Sequence, residues 1–505
     1  MRTLLTTLAC LLYLTSSAQS LTSEQIHQLA DEHFYEGMNT LKEFLALPNI
    51  GKVSDNIDLN VDWCIQEFEK LDFETQVLTQ EGVKHVFVKK ILDEKLPTLL
   101  FYLQVDGQPV DTSACFQESP FKAVLKECVD NECEIIPWEK LNGDVNPDWK
   151  IFARSASDSK GPATAFLQSL KILQALNMET NFNIKAIMDF QEELGSPTLA
   201  DMLKANIYLF EADAMLIMDG TRPPGNLPTL TFGARGIATL KLTVFGARKN
   251  LHSGHYGNYA PNPVFGLSRL LAAIKDEDGK VLIPGFYEGV VMDETRKRMV
   301  NIVPENKGKL MDELGIVGPE SIGETYQEAL QYPSFNVRGL RAAWVGKGVR
   351  TIIPSEALAE VDMRLVVETP AERQIALVTD FIQSQGFHVL DRDPTDEERR
   401  KYPKLIKLTS KIGSRPFRTD LDSPLGAWLG QAMDHVFGEG NYIRMQATGG
   451  SQPIAPFITT LGIPAISVRI PNPDNSIHAP NENLRVGNFH EGLKMCLGIL
   501  TQKYE

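Results

Sequence analysis

Three apolar runs of strand length each stop at acidic residues. Residues 98–103 lead through Gln104 and Val105 to Asp106, residues 182–188 to Asp189 and then Glu192-Glu193, and residues 214–218 to Asp219. Runs this uniformly apolar have no polar face, so they read as strands covered on both sides, as in a parallel sheet. Helical periodicity lies between them: Phe166, Leu170 and Leu173 fall on one face after Lys160-Gly161-Pro162, and 199–205 reads as a short helix. The alternation predicts a three-layer α/β domain with a mostly parallel sheet. Function in such sheets gathers beyond the carboxyl ends of the strands, where Asp106, Glu192, Glu193 and Asp219 all stand. A Glu-Glu pair alone is an ordinary solvated turn. Set on a strand, where neighbours point to opposite faces, the pair could offer one carboxylate to a cation and the other to a water.

The pattern changes near Gly236. Residues 238–245 and 357–367 alternate as half-exposed strands, and Leu267, Leu270, Leu271 and Ile274 mark an amphipathic helix. Thr369-Pro370-Ala371-Glu372 reads as a capping box opening a helix with Ile375, Val378 and Ile382, which stops at Gly386. A buried strand pattern returns at 465–468. The expected organisation is therefore a first catalytic-domain part over 19–234, an inserted α+β sandwich over 235–445, and a second catalytic-domain part over 446–505. Residues 115–148 read as a polar excursion over the surface, and 391–402 as a charged surface segment.

At 505 residues the chain exceeds one ordinary core, which agrees with two domains. A net charge of −15 with no basic cluster excludes nucleic acid and an anionic membrane as partners. No stretch reaches the ~18 apolar residues of a membrane span. Met1-Arg2-Thr3, the apolar run 4–14 and the small residues Ser16-Ser17-Ala18 have the form of a signal peptide over 1–18, so the chain is expected to be secreted or periplasmic. Five cysteines then remain, an odd number, and Cys128 and Cys133 flank a turn that a local disulfide could close.

Asp158, Glu193, Asp219 and His478 are hard and borderline donors suited to Zn²⁺, or to Mn²⁺ or Co²⁺. With Ser157-Asp158-Ser159-Lys160-Gly161, Gln191-Glu192-Glu193, Leu251-His252-Ser253-Gly254, Gly449-Gly450-Ser451 and His478-Ala479-Pro480-Asn481-Glu482, the mature chain resembles the M20 family of metallopeptidases and deacylases. That resemblance implies an exported hydrolase that cleaves a peptide or N-acyl amide beside a free carboxylate. The inserted sandwich would be a ferredoxin-like lid and dimerisation domain, so a homodimer is expected. It makes Asp158 a bridge between two cations, Glu193 and His478 ligands of one and Asp219 of the other. Glu192 would be the general acid/base, and Asp106 the support of a ligand histidine two residues upstream. His252 would meet the oxyanion, often across a dimer interface. Arg364 would hold the substrate carboxylate, and Gly449, Gly450 and Ser451 would close the substrate pocket.

Gln104 stands where the family places its first ligand histidine, and His85 belongs to an earlier strand. An amide carbonyl is a weaker donor than imidazole, so one or two ions per chain are compatible with the sequence. Ser159 replaces a frequent second aspartate, Thr448 a glutamate that reads a substrate amine in dipeptidases, and Gln452 an aliphatic residue. The substrate is accordingly a small peptide or an N-acyl amino acid. The competing reading is a relative whose catalysis is weakened or lost, kept as a binding protein.

Overall fold

The computed structural model describes residues 20–129 and 132–504, so the signal peptide expected over 1–18 lies outside the described residues. An eight-stranded sheet organises the first domain. Its order is Glu74–Gln80, Val83–Lys90, Asn183–Asp189, Thr98–Gln104, Ala214–Ile217, Ala465–Arg469, Thr229–Thr231, Ile443–Met445. The four middle strands, from Asn183–Asp189 to Ala465–Arg469, are mutually parallel, while Val83–Lys90 and Thr229–Thr231 join them antiparallel. The runs are buried, apart from the half-buried Thr98 and Lys185, because both faces are covered. Lys160–Ala175, Val486–Thr501, Pro424–Phe437 and the two N-terminal helices Ser23–Glu32 and Phe34–Leu45 carry residues of the core on one face. Leu199–Ala205 and Ala455–Leu461 cover the other. The two neighbours that flank Thr98–Gln104 come later in the chain and run off to either side. The crevice of this switch point opens where Asp106, Glu192 and Asp219 follow the strands.

The second domain is a five-stranded sheet in the order Ser334–Arg341, Glu356–Leu365, Gly236–Phe245, Leu405–Ser414, His388–Leu390. Burial alternates along Glu356–Leu365, and the buried residues of helices Pro263–Ile274 and Ala371–Ser384 join those of the sheet in one core. The chain crosses between domains at Gly233–Ala234 and Phe417–Arg418, which pair antiparallel. The return to the first domain therefore lies near residue 417 and not 445, because Pro424–Phe437 buries Leu425, Trp428 and Leu429 in the first domain's core.

Two local readings are corrected, and a third gains detail. The segment 115–148 is no loose excursion: Val124–Val129 and Glu132–Ile136 form a hairpin, in a sheet with Lys150–Phe152 and Asn483–Arg485, and the Cys128–Cys133 disulfide crosses it. Thr369 does not cap through Glu372; its Oγ1 accepts from Val366 N at 3.1 Å, and Glu372 pairs with Arg415. The charged 391–402 segment holds the helix Asp396–Lys401 with a true capping box, Thr395 with Glu398. No helix among the described residues is long and apolar enough to cross a membrane.

Candidate metal centre

Glu192 and Glu193 sit on a 3₁₀ turn, Glu192–Leu194, not on the strand itself. Their aim is therefore set by the hydrogen bonds of the turn and not by strand alternation. Asp189, fully buried, ties the turn down: its Oδ1 accepts from Gln191 N at 2.9 Å, and its Oδ2 accepts from the Tyr102 and Ser196 hydroxyls. Asp106 receives Glu192 N at 2.9 Å and Glu193 N at 3.2 Å. This carboxylate thus orients the Glu-Glu turn, where a histidine-supporting role was expected. Burial, Asp189 and Glu193 hold the Asp106 carboxyl well above the ordinary carboxylate range.

Asp158 ends a loop that Glu482 organises. The Glu482 carboxylate is buried and accepts from the backbone N of Ser155 at 2.8 Å, Ser157 at 3.0 Å and Asp158 at 2.9 Å, and from Arg154 Nη1 at 2.7 Å. Arg154 Nη2 also donates to Ala479 O at 3.1 Å, which joins the Asp158 loop to the His478 loop. The glycine of the Ser157-to-Gly161 motif is a packing requirement: a Cβ on Gly161 would lie 2.2 Å from Ala156 O.

These elements converge. His478 Nε2 lies 3.1 Å from Asp158 Oδ2 and 3.1 Å from Glu193 Oε2, and one ligand atom from each of the three residues falls within 4.8 Å of the other two. Gln108 Nε2 donates to Glu193 Oε2 at 2.9 Å, a contact that fixes the carboxylate. Burial raises the Asp158 pKa to about 7 against the pull of His478, while the two carboxylates push His478 up to about 10. Burial, then Asp219, Asp158, Glu193 and Asp106, hold the Glu192 carboxyl well above its ordinary range. Asp158, Glu193 and His478 together offer oxygen and nitrogen donors that could hold one metal ion.

The second cation position fits poorly. Asp219 Oδ1 lies 2.7 Å from the Ser159 hydroxyl, its Oδ2 accepts from Gln452 Nε2 at 3.1 Å, and the buried Arg469 guanidinium is held beside it. Gln104 is 1 % exposed, and neither amide atom has a partner. Asp219 is thus already hydrogen-bonded by protein groups, and among the described residues no imidazole bonds or pairs with it. The donors present fit one cation, and no step below runs through another.

Of the remaining expected residues, Arg364 Nη1 lies 3.2 Å from Ser451 Oγ, so Arg364 and the Gly449–Gly450–Ser451 turn meet. His252 does not join them. It is exposed, its Nδ1 accepts from Gly254 N, and its ring lies 4.6 Å from that of His255, with no hydrogen bond or ion pair to the cluster among the described residues. Sequence reasoning passed over Glu482, Gln108 and Arg469. Glu482 stood inside a quoted motif and Gln108 two residues past Asp106; Arg469, one residue past a strand pattern, gave no signal.

The sequence signature of Peptidase family M20/M25/M40 matches residues 129–502. The chain belongs to this family. M20 proteins are metal-dependent hydrolases, and this chain is one by membership and by its cluster of donors. It is similar to the Beta-Ala-His dipeptidase of Homo sapiens, at 23% identity over 95% of this chain and 92% of that protein. A Cys-Gly metallodipeptidase of Schizosaccharomyces pombe is 22% identical over 94% of this chain and 96% of its own. Among solved structures, an M20 family metallo-carboxypeptidase from Sulfolobus solfataricus superposes with a TM-score of 0.75 at 27% identity, covering 92% of this chain and 99% of that one.

Proposed function

We propose that this M20 chain hydrolyses the peptide bond of a dipeptide, or the equivalent N-acyl amide, beside a free carboxylate, using one divalent cation, most fittingly zinc. The observation that carries the reading is the convergence of Asp158, Glu193 and His478 within 4.8 Å, with the Glu192 turn beside them. It is supported by relatives named as dipeptidases and by a neighbour named as a carboxypeptidase. A cation bound there supplies Lewis acidity towards a carbonyl oxygen and acidifies water. Glu192 takes the proton of the attacking water and returns it to the leaving amine nitrogen. Arg364, with Ser451 beside it, holds the free carboxylate through its planar fork. Asp106 and Gln108 keep the Glu192 and Glu193 carboxylates in place. His252 is exposed on the inserted domain and away from the cluster, which supports a homodimer in which it meets the developing oxyanion of a second copy. The N-terminal apolar segment directs export.

Purified protein assayed on dipeptides and N-acyl amino acids, with and without chelator, tests this reading. Hydrolysis that a chelator removes and Zn²⁺ or Mn²⁺ restores is the expected result; no turnover by metal-replete protein contradicts it. A second reading, a carboxylate-binding protein that keeps its ion without turnover, is favoured by Gln104 and by the protein hydrogen bonds that occupy Asp219. The same assay separates the two.

A further inference from the structure

A cavity of about 360 Å³ lies between the 275–335 segment and the sheet of the inserted domain. Its walls are largely apolar and include Val281, Leu310, Met311 and Phe335. The volume falls in the range of ~300–1,000 Å³ usual for small-molecule pockets. Two features tie the cavity to the carboxylate-holding end of the site. Leu330, on its wall, packs against the pocket turn: a Cβ on Gly449 would lie 3.0 Å from Leu330 Cδ2. Ser334, also on its wall, is the cross-strand partner of Arg364.

Arg235 lines the same cavity and is 7 % exposed. Its backbone N donates to Gly450 O at 3.1 Å, and its Nη2 donates to Tyr332 O at 2.7 Å. Its Nε has no partner. Arg364 is close enough for the two guanidinium groups to repel, and among the described residues no ion pair links either to a carboxylate. Asp362 acts on Arg235 only from beyond ion-pair distance, and two adjacent, partly desolvated cations with no carboxylate in direct contact are costly unless an anion completes them. A carboxylate there would satisfy both, and would place whatever apolar group it carries at the cavity mouth.

We infer that this cavity receives the side chain of the substrate residue bearing the free carboxylate, so that the chain selects a large apolar residue, such as leucine, methionine or phenylalanine, at that end. The inference rests on the proposed hydrolysis for the assignment of the carboxylate to Arg364. Burying such a side chain in place of alanine should raise kcat/KM on the order of 10–100-fold. The cavity is built by the inserted domain, so selectivity and the chemistry of the cation cluster reside in different parts of the chain.

The test compares Ala-Leu and Ala-Phe with Ala-Ala on metal-loaded wild type and on Leu310→Trp and Met311→Trp, which fill the cavity from its far wall. A wild-type preference of tenfold or more that collapses in a folded filled variant supports the inference. Equal kcat/KM for the three dipeptides, or a preference untouched in both variants, overturns it while leaving the proposed hydrolysis standing. Calorimetric titration with free L-leucine and L-alanine gives a readout that needs no turnover. Tighter leucine binding supports the pocket even if no dipeptide is cleaved, in which case the hydrolysis reading fails alone; equal affinities sink the pocket.

Discussion

Replacing Glu482 by glutamine should unfasten the loop that carries Asp158. The carboxylate is 2 % exposed and divides four donors between two oxygens: Ser157 N and Asp158 N on one, Ser155 N and Arg154 Nη1 on the other. An amide keeps one carbonyl oxygen and turns an NH₂ towards two N–H groups, whichever way it is placed. Two hydrogen bonds are lost, and in either placement the Arg154 guanidinium, with 2 % side-chain exposure, loses its charge partner. Hydrogen bonds to charged groups are worth about 1.5–3 kcal/mol each. Breaking one side of a buried pair costs about 3–5 kcal/mol, so both routes give a similar figure. We therefore expect about 3–5 kcal/mol of destabilisation and a roughly 10–100-fold weaker metal affinity, the scale for groups that orient ligands. Urea unfolding of the metal-free protein followed by tryptophan fluorescence reads the first term. Trp63, Trp138, Trp149 and Trp428 lie in the first domain and only Trp344 in the second, so the signal reports the domain in question. A cost below about 1 kcal/mol with unchanged metal affinity would refute the idea that Glu482 holds this loop.

Glu192→Gln should lose at least ~100-fold in kcat while keeping its metal, because the residue is assigned to proton transfer. Mixed with His252→Ala under conditions of subunit exchange, it should regain activity in hybrid dimers; no recovery despite exchange would remove His252 from the partner's site. Arg364→Lys should raise KM for carboxylate substrates far more than for their amides, since lysine lacks the planar fork; equal losses would exclude the clamp. In the metal-free protein, Asp158 and Glu193 keep His478 protonated up to about pH 10. That interaction stabilises the metal-free fold fully below the unfolded histidine pKa of ~6.5, and its contribution disappears as pH rises through about 10. An entering cation must displace this proton, so apparent metal affinity should rise about tenfold per pH unit between pH 7 and 8. A flat profile from competition titration would contradict the arrangement of these three side chains.

Much of the first domain was legible because its strands lack any polar face. The runs at 98–103, 182–188 and 214–218 can only be sheet interior, and their acidic ends then fall in one crevice. The disulfide was legible from a five-residue separation across a turn. What stayed hidden was decided by distant contacts. Nothing local says that Pro424–Phe437 covers the first sheet and not the second, since an apolar helix face fits either. Thr369 shows the same limit: its hydroxyl had a competing backbone partner in Val366. Glu482 meets Asp158 across 324 residues of sequence, and Arg469 meets Asp219 only after the sheet is assembled. Gln104 stands out in the sequence where the resemblance expects an imidazole, but its two unpartnered amide atoms, and the protein groups that hydrogen-bond Asp219, required the three-dimensional arrangement.

Elemental analysis by mass spectrometry, run on metal-reconstituted wild type and on His478→Ala, tests the account most directly. The wild type should retain one divalent ion per chain after extensive dialysis, and His478→Ala should retain almost none. Two tightly held ions in the wild type, or an undiminished ion in His478→Ala, would contradict the claim that Asp158, Glu193 and His478 form the cation site of this chain.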